Sequence, residues 1–230
     1  MHDLLVKLLD RVEGRFYGKY RGFVVDNADP EKRGRLKLRV PSVLGDEIVS
    51  GWALPCAPYG GSPDIGAFYV PEVEAGVWVE FEMGLVEYPV WVGTFWSKPG
   101  GDPEPPKPND APDGAEQSDV QDPPTRKIFK TAKGHTIQFE DADDEELVLI
   151  VENTNANVIA MNKDGVTITD GANSNKIEMK SSGITITDLT GNVVEMSDSA
   201  FTITAKVDFT IDASGQAVTI TGKTIDFKKG

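Results

Sequence analysis

Between residues 157 and 204 apolar and polar positions alternate in short bursts, punctuated by Gly, Asn, Asp and Ser. Three bursts align without gaps: Asn157-Val-Ile-Ala-Met-Asn-Lys-Asp-Gly-Val-Thr-Ile-Thr169, Asn175-Lys-Ile-Glu-Met-Lys-Ser-Ser-Gly-Ile-Thr-Ile-Thr187 and Asn192-Val-Val-Glu-Met-Ser-Asp-Ser-Ala-Phe-Thr-Ile-Thr204. The shared pattern, Asn-x-[Ile/Val]-x-Met-x-x-x-[Gly/Ala]-apolar-Thr-Ile-Thr, recurs after 18 residues (157 to 175) and again after 17 (175 to 192). Phe209-Thr-Ile-Asp212 and Val218-Thr-Ile-Thr221 continue the beat at steps of 8 and 9 residues (201 to 209, 209 to 218). Each long unit therefore reads as two short strands joined by a turn, because alternation with period two puts every second side chain on the same face. One face gathers Ile159, Met161, Val166, Ile168, Ile177, Met179, Ile184, Ile186, Val194, Met196, Phe201, Ile203, Phe209 and Ile211, while Thr, Glu, Lys and Asp fill the other.

Such a repeat is too short to close on itself. A solenoid built by one chain spends about 20 or more residues per coil to enclose a core. Three chains wound around a common axis remove the difficulty, each giving one apolar face and pairing the strand edges of the others. The repeat thus predicts an intertwined homotrimer, a triple-stranded β-helix over residues 128–230. About eleven strands at roughly 4.8 Å spacing would make a shaft on the order of 50 Å long. The inward residues above would line its axis, with Val218, Ile220, Ile225 and Phe227 at the tip.

Residues 15–97 show a second all-β pattern. Short strands are expected over 16–27, 35–40, 51–57, 76–82 and 89–95, with no helical interval between them, which suggests a small closed barrel of the OB type. Trp52, Trp78, Trp91 and Trp96 read as core or interface residues. A nucleic-acid-binding barrel would surround exposed aromatics with bases, whereas Glu80, Glu82 and Glu87 stand near these. Residues 1–14 read as a short amphipathic helix. Residues 98–127, dense in Pro, Asp and Gly, hold too few large apolar side chains for a core and read as an extended linker.

Composition adds exclusions. The 37 acids and 23 bases give a net charge of −14, which disfavours binding to nucleic acid or an anionic membrane. No apolar run reaches the roughly 20 residues of a membrane-spanning helix. The start, Met1-His-Asp-Leu-Leu-Val-Lys, lacks the features of a secretory signal, so synthesis in the cytoplasm is expected. The single cysteine, Cys56, excludes an internal disulfide and, between apolar neighbours, reads as a small buried hydrophobe. With only His2 and His135, and no carboxylate pair on a structured scaffold, no catalytic residue, metal ligand or cofactor site is assigned. His135 reads as a structural residue of the first shaft strand.

The N-terminal motifs occur in a telling order: Tyr20-Arg-Gly-Phe-Val-Val-Asp-Asn-Ala-Asp-Pro30, Gly34-Arg-Leu-Lys-Leu-Arg-Val-Pro41, Ser50-Gly-Trp-Ala53, Gly66-Ala-Phe-Tyr-Val-Pro-Glu-Val-Glu-Ala-Gly76, Val77-Trp-Val-Glu-Phe-Glu82 and Pro89-Val-Trp-Val-Gly93. Together with Lys133-Gly-His-Thr-Ile-Gln-Phe139, they closely resemble the central-spike family of contractile injection machines. That family includes phage baseplate assembly protein V, the T4 tail lysozyme's OB domain and the type VI valine–glycine-repeat spikes. The resemblance implies an OB collar seated on a baseplate hub protein and a trimeric β-helix aimed at the target-cell membrane, in a virion or injection particle. It also implies a separate PAAR-like tip protein. The lysozyme domain of some members and the His-x-His apex of others have no counterpart here. A trimeric fibre or adhesin, an ice-binding Thr ladder and a glycan hydrolase remain as alternative readings.

Overall fold

The computed structural model of the chain describes residues 14–228, which divide into two compact units joined at Pro105 and Pro106. The helix expected at the N-terminus, and His2 with it, lies outside the described residues.

The first unit is a curled five-stranded sheet. Its strands are β1 (Tyr20–Asp26), β2 (Lys37–Arg39), β3 (Leu54–Pro55), β4 (Gly76–Phe81) and β5 (Pro89–Thr94), in the order β2-β1-β4-β5-β3. Bridges Leu36↔Ala53 and Arg39↔Val49 join the segment leading into β3 to the free side of β2, so both edges of the curl meet the same stretch of chain. Alternation fills the interior: Val24, Leu36, Leu38, Val40, Ala53, Val77, Val79, Phe81 and Trp91 are buried together. A tight turn supports this core. The Asp29 carboxylate accepts the N–H groups of Glu31, Arg33 and Arg35 and the Arg35 guanidinium, the last at 2.6 Å. The turn presents the Gly34 carbonyl to Trp91 Nε1 at 3.1 Å. Trp52 and Trp78 lie half-buried on the outer face, under Arg35 and Lys37 and under Arg21 respectively, and Trp96 is exposed. Cys56 is also exposed, not buried as expected. Its N–H still bonds Trp91 O, but there the two-residue strand β3 ends and the chain leaves the barrel.

The second unit is a nine-stranded antiparallel meander: β6 (Arg126–Lys130), β7 (Thr136–Glu140), β8 (Leu147–Glu152), β9 (Asn157–Asn162), β10 (Gly165–Asp170), β11 (Asn175–Lys180), β12 (Gly183–Thr187), β13 (Val193–Met196) and β14 (Phe201–Thr204). Every strand pairs with its neighbours in sequence. The expectation that other chains pair these edges is therefore corrected: from β6 to β14 the chain satisfies its own ladder through hairpins. The repeat's glycine serves this register. At Gly165 and Gly183 the backbone takes a positive φ, and a Cβ would strike the carbonyl oxygens of Met179 and Met196 on the next strand.

Two further expectations change. Residues 205–228 form no strand, so Phe209, Ile211, Val218, Ile220, Ile225 and Phe227 stand exposed outside the sheet. The Pro/Asp-rich stretch is not wholly a linker, because from Pro106 it packs with the second unit as a strap across β6–β9. A lack of apolar bulk precludes a core of its own but not docking through amides.

Candidate functional site

The hairpin register converts the sequence repeat into two columns on one face of the second unit. The first runs Phe129, Ile137, Ile150, Ile159, Ile168, Ile177, Ile186, Val194, Ile203, each directly opposite the next. The second runs Phe139, Val148, Met161, Val166, Met179, Ile184, Met196, Phe201 in the same way. These columns bring together every residue expected on the axis except Phe209 and Ile211. They also add Phe129, Ile137, Phe139, Val148 and Ile150, which share the same alternation but precede the repeat proper.

Not one of these columns is sealed by the chain itself. Ile150, Met161, Ile168, Met179, Ile186 and Met196 are each 36–42% exposed, and Ile203 and Phe201 are more so. An unbroken apolar band nine strands wide is unlike the scattered apolar residues of a monomer surface.

The opposite face is built differently at its two ends. Across β7–β9 it is closed by the strap. Asn109 N–H donates to Gln138 Oε1 and Gln138 Nε2 donates to Asn109 O, both at 2.9 Å, so one side-chain amide imitates a neighbouring strand. Asn109 Nδ2 bonds Gly114 O at 2.7 Å, and Thr136 Oγ1 donates to Asn109 Oδ1 at 3.1 Å. Beneath lie Leu149, Val151, Val158 and Ala160. Gly114 sits so close that a Cβ there would lie 2.8 Å from Val158 and 3.0 Å from Val151.

Where the strap enters β6, the buried Glu140 carboxylate accepts Arg126 Nε at 2.6 Å, Gln121 Nε2 at 2.9 Å and Ala142 N–H at 2.9 Å. Burial alone would raise its pKa. The adjacent Thr125 hydroxyl, which makes no well-formed hydrogen bond of its own, acts with Arg126, Ala142 and Gln121 to hold it at about 2 instead.

From β10 onward this face is open and polar. Thr167, Glu178, Thr185, Glu195 and Thr202 form one row, and Lys176 and Lys180 both reach Glu178, at 3.0 and 2.7 Å. Threonines alternate with charged residues in the row, so the flat Thr ladder that an ice-binding surface needs is not formed.

Along one margin of the sheet the longer turns share a clamp. Glu152 accepts from Asn155 and Asn157, Asp170 from Asn173 and Asn175, and Asp188 from Thr190 and Asn192. Asn192 and Thr190 hold the Asp188 carboxyl down at about 2. The clamp asparagines also tie successive turns: Asn157 Oδ1 accepts Gly171 N–H at 3.2 Å, Asn175 Oδ1 accepts Leu189 N–H at 3.1 Å, and Asn192 Oδ1 accepts Lys206 N–H at 2.7 Å. His135 belongs to the first such turn, its Nδ1 accepting Asn153 N–H at 3.2 Å. Among the described residues no group of three His, Cys, Asp or Glu is placed to hold a metal ion, and no helix is long and apolar enough to cross a membrane.

The curled barrel is where comparison with known proteins speaks. Residues 20–96, which span all five of its strands, match the family described as the Type VI secretion system/phage-baseplate injector OB domain. The chain carries a baseplate-injector OB domain. That third of the chain is similar to the OB domain of phage-baseplate and type VI injectors. No curated protein matches the sequence. In the injector OB domain the strands β1, β2, β4 and β5 carry the quoted motifs, and Asp29 and Gly34 of those motifs form the turn that anchors Trp91.

Proposed function

We propose that three copies of this chain meet through the apolar columns of their second units, forming a trimeric β-helical spike around a common axis. The observation that carries the reading is the pairing of one sealed or solvated face with one unbroken apolar face. Water is excluded from that face only if like faces close on one another, at roughly 25 cal/mol for each Å² of apolar surface removed. In the closed prism the polar rows point outward and the columns fill the axis, which gives a stiff needle with no pore.

The injector OB domain, residues 15–97, is the collar that seats on a separate baseplate hub protein. The tip, around Val218, Ile220, Ile225 and Phe227, receives a PAAR-like cap, and the needle acts on the target-cell membrane by force and without catalysis. Light scattering is expected at about 75 kDa, three times the 25.0 kDa chain. A well-folded monomer at micromolar concentration overturns the reading. Recovery of the hub through the second unit alone would reverse the proposed polarity, and peptidoglycan clearing by the pure chain would overturn the mechanical role. Ile220→Asp is expected to abolish cap binding while the collar stays trimeric.

A further inference from the structure

Sulfur occurs in one of the two apolar columns and not in the other. In the second column Met161 lies opposite Val148 and Val166, Met179 opposite Val166 and Ile184, and Met196 opposite Ile184 and Phe201. Every other residue of both columns is β-branched or aromatic, the types that strands favour. Methionine nevertheless stands at the fifth position of all three repeat units, so three of the chain's five methionines fall in this one line.

The three are also placed alike. Met161 and Met179 are the last but one residues of β9 and β11, and Met196 closes β13, each beside a short hairpin turn. They are 36%, 37% and 37% exposed, so a small solute reaches all three in a chain without partners. A thioether is the one group in these columns that a mild oxidant attacks. Hydrogen peroxide gives one oxygen atom to the sulfur: the O–O bond breaks, an S–O bond forms, the sulfur is oxidised by two electrons and water leaves. A flexible apolar side chain becomes a polar acceptor, and the Val, Ile and Phe side chains around it have no donor to offer.

We propose that Met161, Met179 and Met196 form an oxidation-sensitive ladder that gates assembly. Sulfoxidation by a small peroxide before association keeps a chain out of the spike, and association puts the same sulfurs beyond the oxidant's reach. This rests on the trimeric reading above, in which three sulfoxides from each of three chains would stand unsatisfied on a dry axis. The block is reversible, because a thiol-dependent sulfoxide reductase releases the oxygen as water while two thiols become a disulfide.

The test uses the full chain with Cys56→Ser, since that exposed thiol would react as well. Hydrogen peroxide is applied either to the assembled protein or to the chain in denaturant before refolding, followed by peptide mass mapping and light scattering. Met83, 67% exposed on the barrel, is the internal standard. In the assembled protein the three column methionines should oxidise roughly tenfold more slowly than Met83. Chains oxidised before refolding should give less than about a tenth of the untreated yield of trimer, while near-ultraviolet dichroism of the barrel tryptophans persists. The variant with Met161→Leu, Met179→Leu and Met196→Leu, which keeps side-chain volume, should assemble equally well with and without peroxide. A trimer whose column methionines react as fast as Met83, or undiminished trimer from oxidised chains, overturns the gate alone. So does a leucine variant that loses assembly to peroxide as the methionine chain does. A monomer before any peroxide is added rejects the trimer and the gate together.

Discussion

The two units of this chain solve the same burial problem to different degrees. The OB barrel is closed by the segment that bridges β2 and β5, and its nine buried residues, from Val24 to Trp91, form a core that needs nothing from outside. The meander, with almost twice as many strands, has a buried apolar cluster of just Leu149, Val151, Val158 and Ala160 among the described residues, all beneath the strap. Its larger apolar surface is left for something else to cover. A complete domain and half of one, in a single chain, are what the proposed trimer, built on a self-sufficient collar, requires.

The largest expected effect breaks that contrast at the open face. Ile177→Asp, near the middle of the first column, would place three carboxylates on the axis, where unpaired buried charge is costly. The trimer should be lost, with scattering falling from about three chain masses to one, while near-ultraviolet dichroism of the barrel tryptophans persists. Glu140→Ala comes next. It removes the closest partner of Arg126, whose side chain is 12% exposed and whose next carboxylate, Asp110, is 3.8 Å away, and should cost about 3 kcal/mol in the strap, read as faster proteolysis within residues 106–125. Gly114→Val pushes a side chain against Val151 and Val158 and should cost about 1–3 kcal/mol, read in the same cleavage assay.

The strap's acid response sharpens the comparison further. The folded pKa of Glu140, about 2, lies below its ordinary value of 4.5. Its contribution is therefore fully present above pH 4.5 and is lost as pH falls through about 2. Asp188, held at about 2, loses its contribution over the same fall in pH, and Asp29 is also held below the ordinary carboxylate range by Arg35. The difference in melting temperature between wild type and Glu140→Gln, followed from pH 5 to pH 2, isolates Glu140 and should shrink as the pH drops. The smallest effect is expected for Asn175→Ala, which removes one clamp and one tie for about 1 kcal/mol, read as faster amide exchange at Leu189.

How far the fold was legible varied with the physics that sets each part. The five barrel strands and the columns follow from alternation, because one face of each strand must be dry. The sealed outer face of β8 is written in Leu147-Val-Leu-Ile-Val151, where apolar residues run consecutively because the strap covers one face and the open apolar columns occupy the other. The strap itself was not legible from composition, since Gln138 and Asn109 bind it through amides that hydrophobic patterning does not register. The exposure of Cys56 depends on where the two-residue strand β3 ends, which local propensity cannot fix. The two-strand units are legible from alternation, but their pairing within the chain is set by the turns, where Gly165, Gly183 and the Asp/Asn clamps fold each strand back on the last.

The ties from Asn157, Asn175 and Asn192 have a bearing on how such a needle would fail. Each joins one turn to the next along a single margin of the sheet. Peeling begun at the free end must therefore release the Asn192 tie before the Asn175 tie is loaded, and that one before Asn157. Damage is divided into discrete steps of two strands, each arrested by the next intact fastening. A tool that strikes a hard surface end-on could blunt by one step and still keep its length, its axis and its grip at the root.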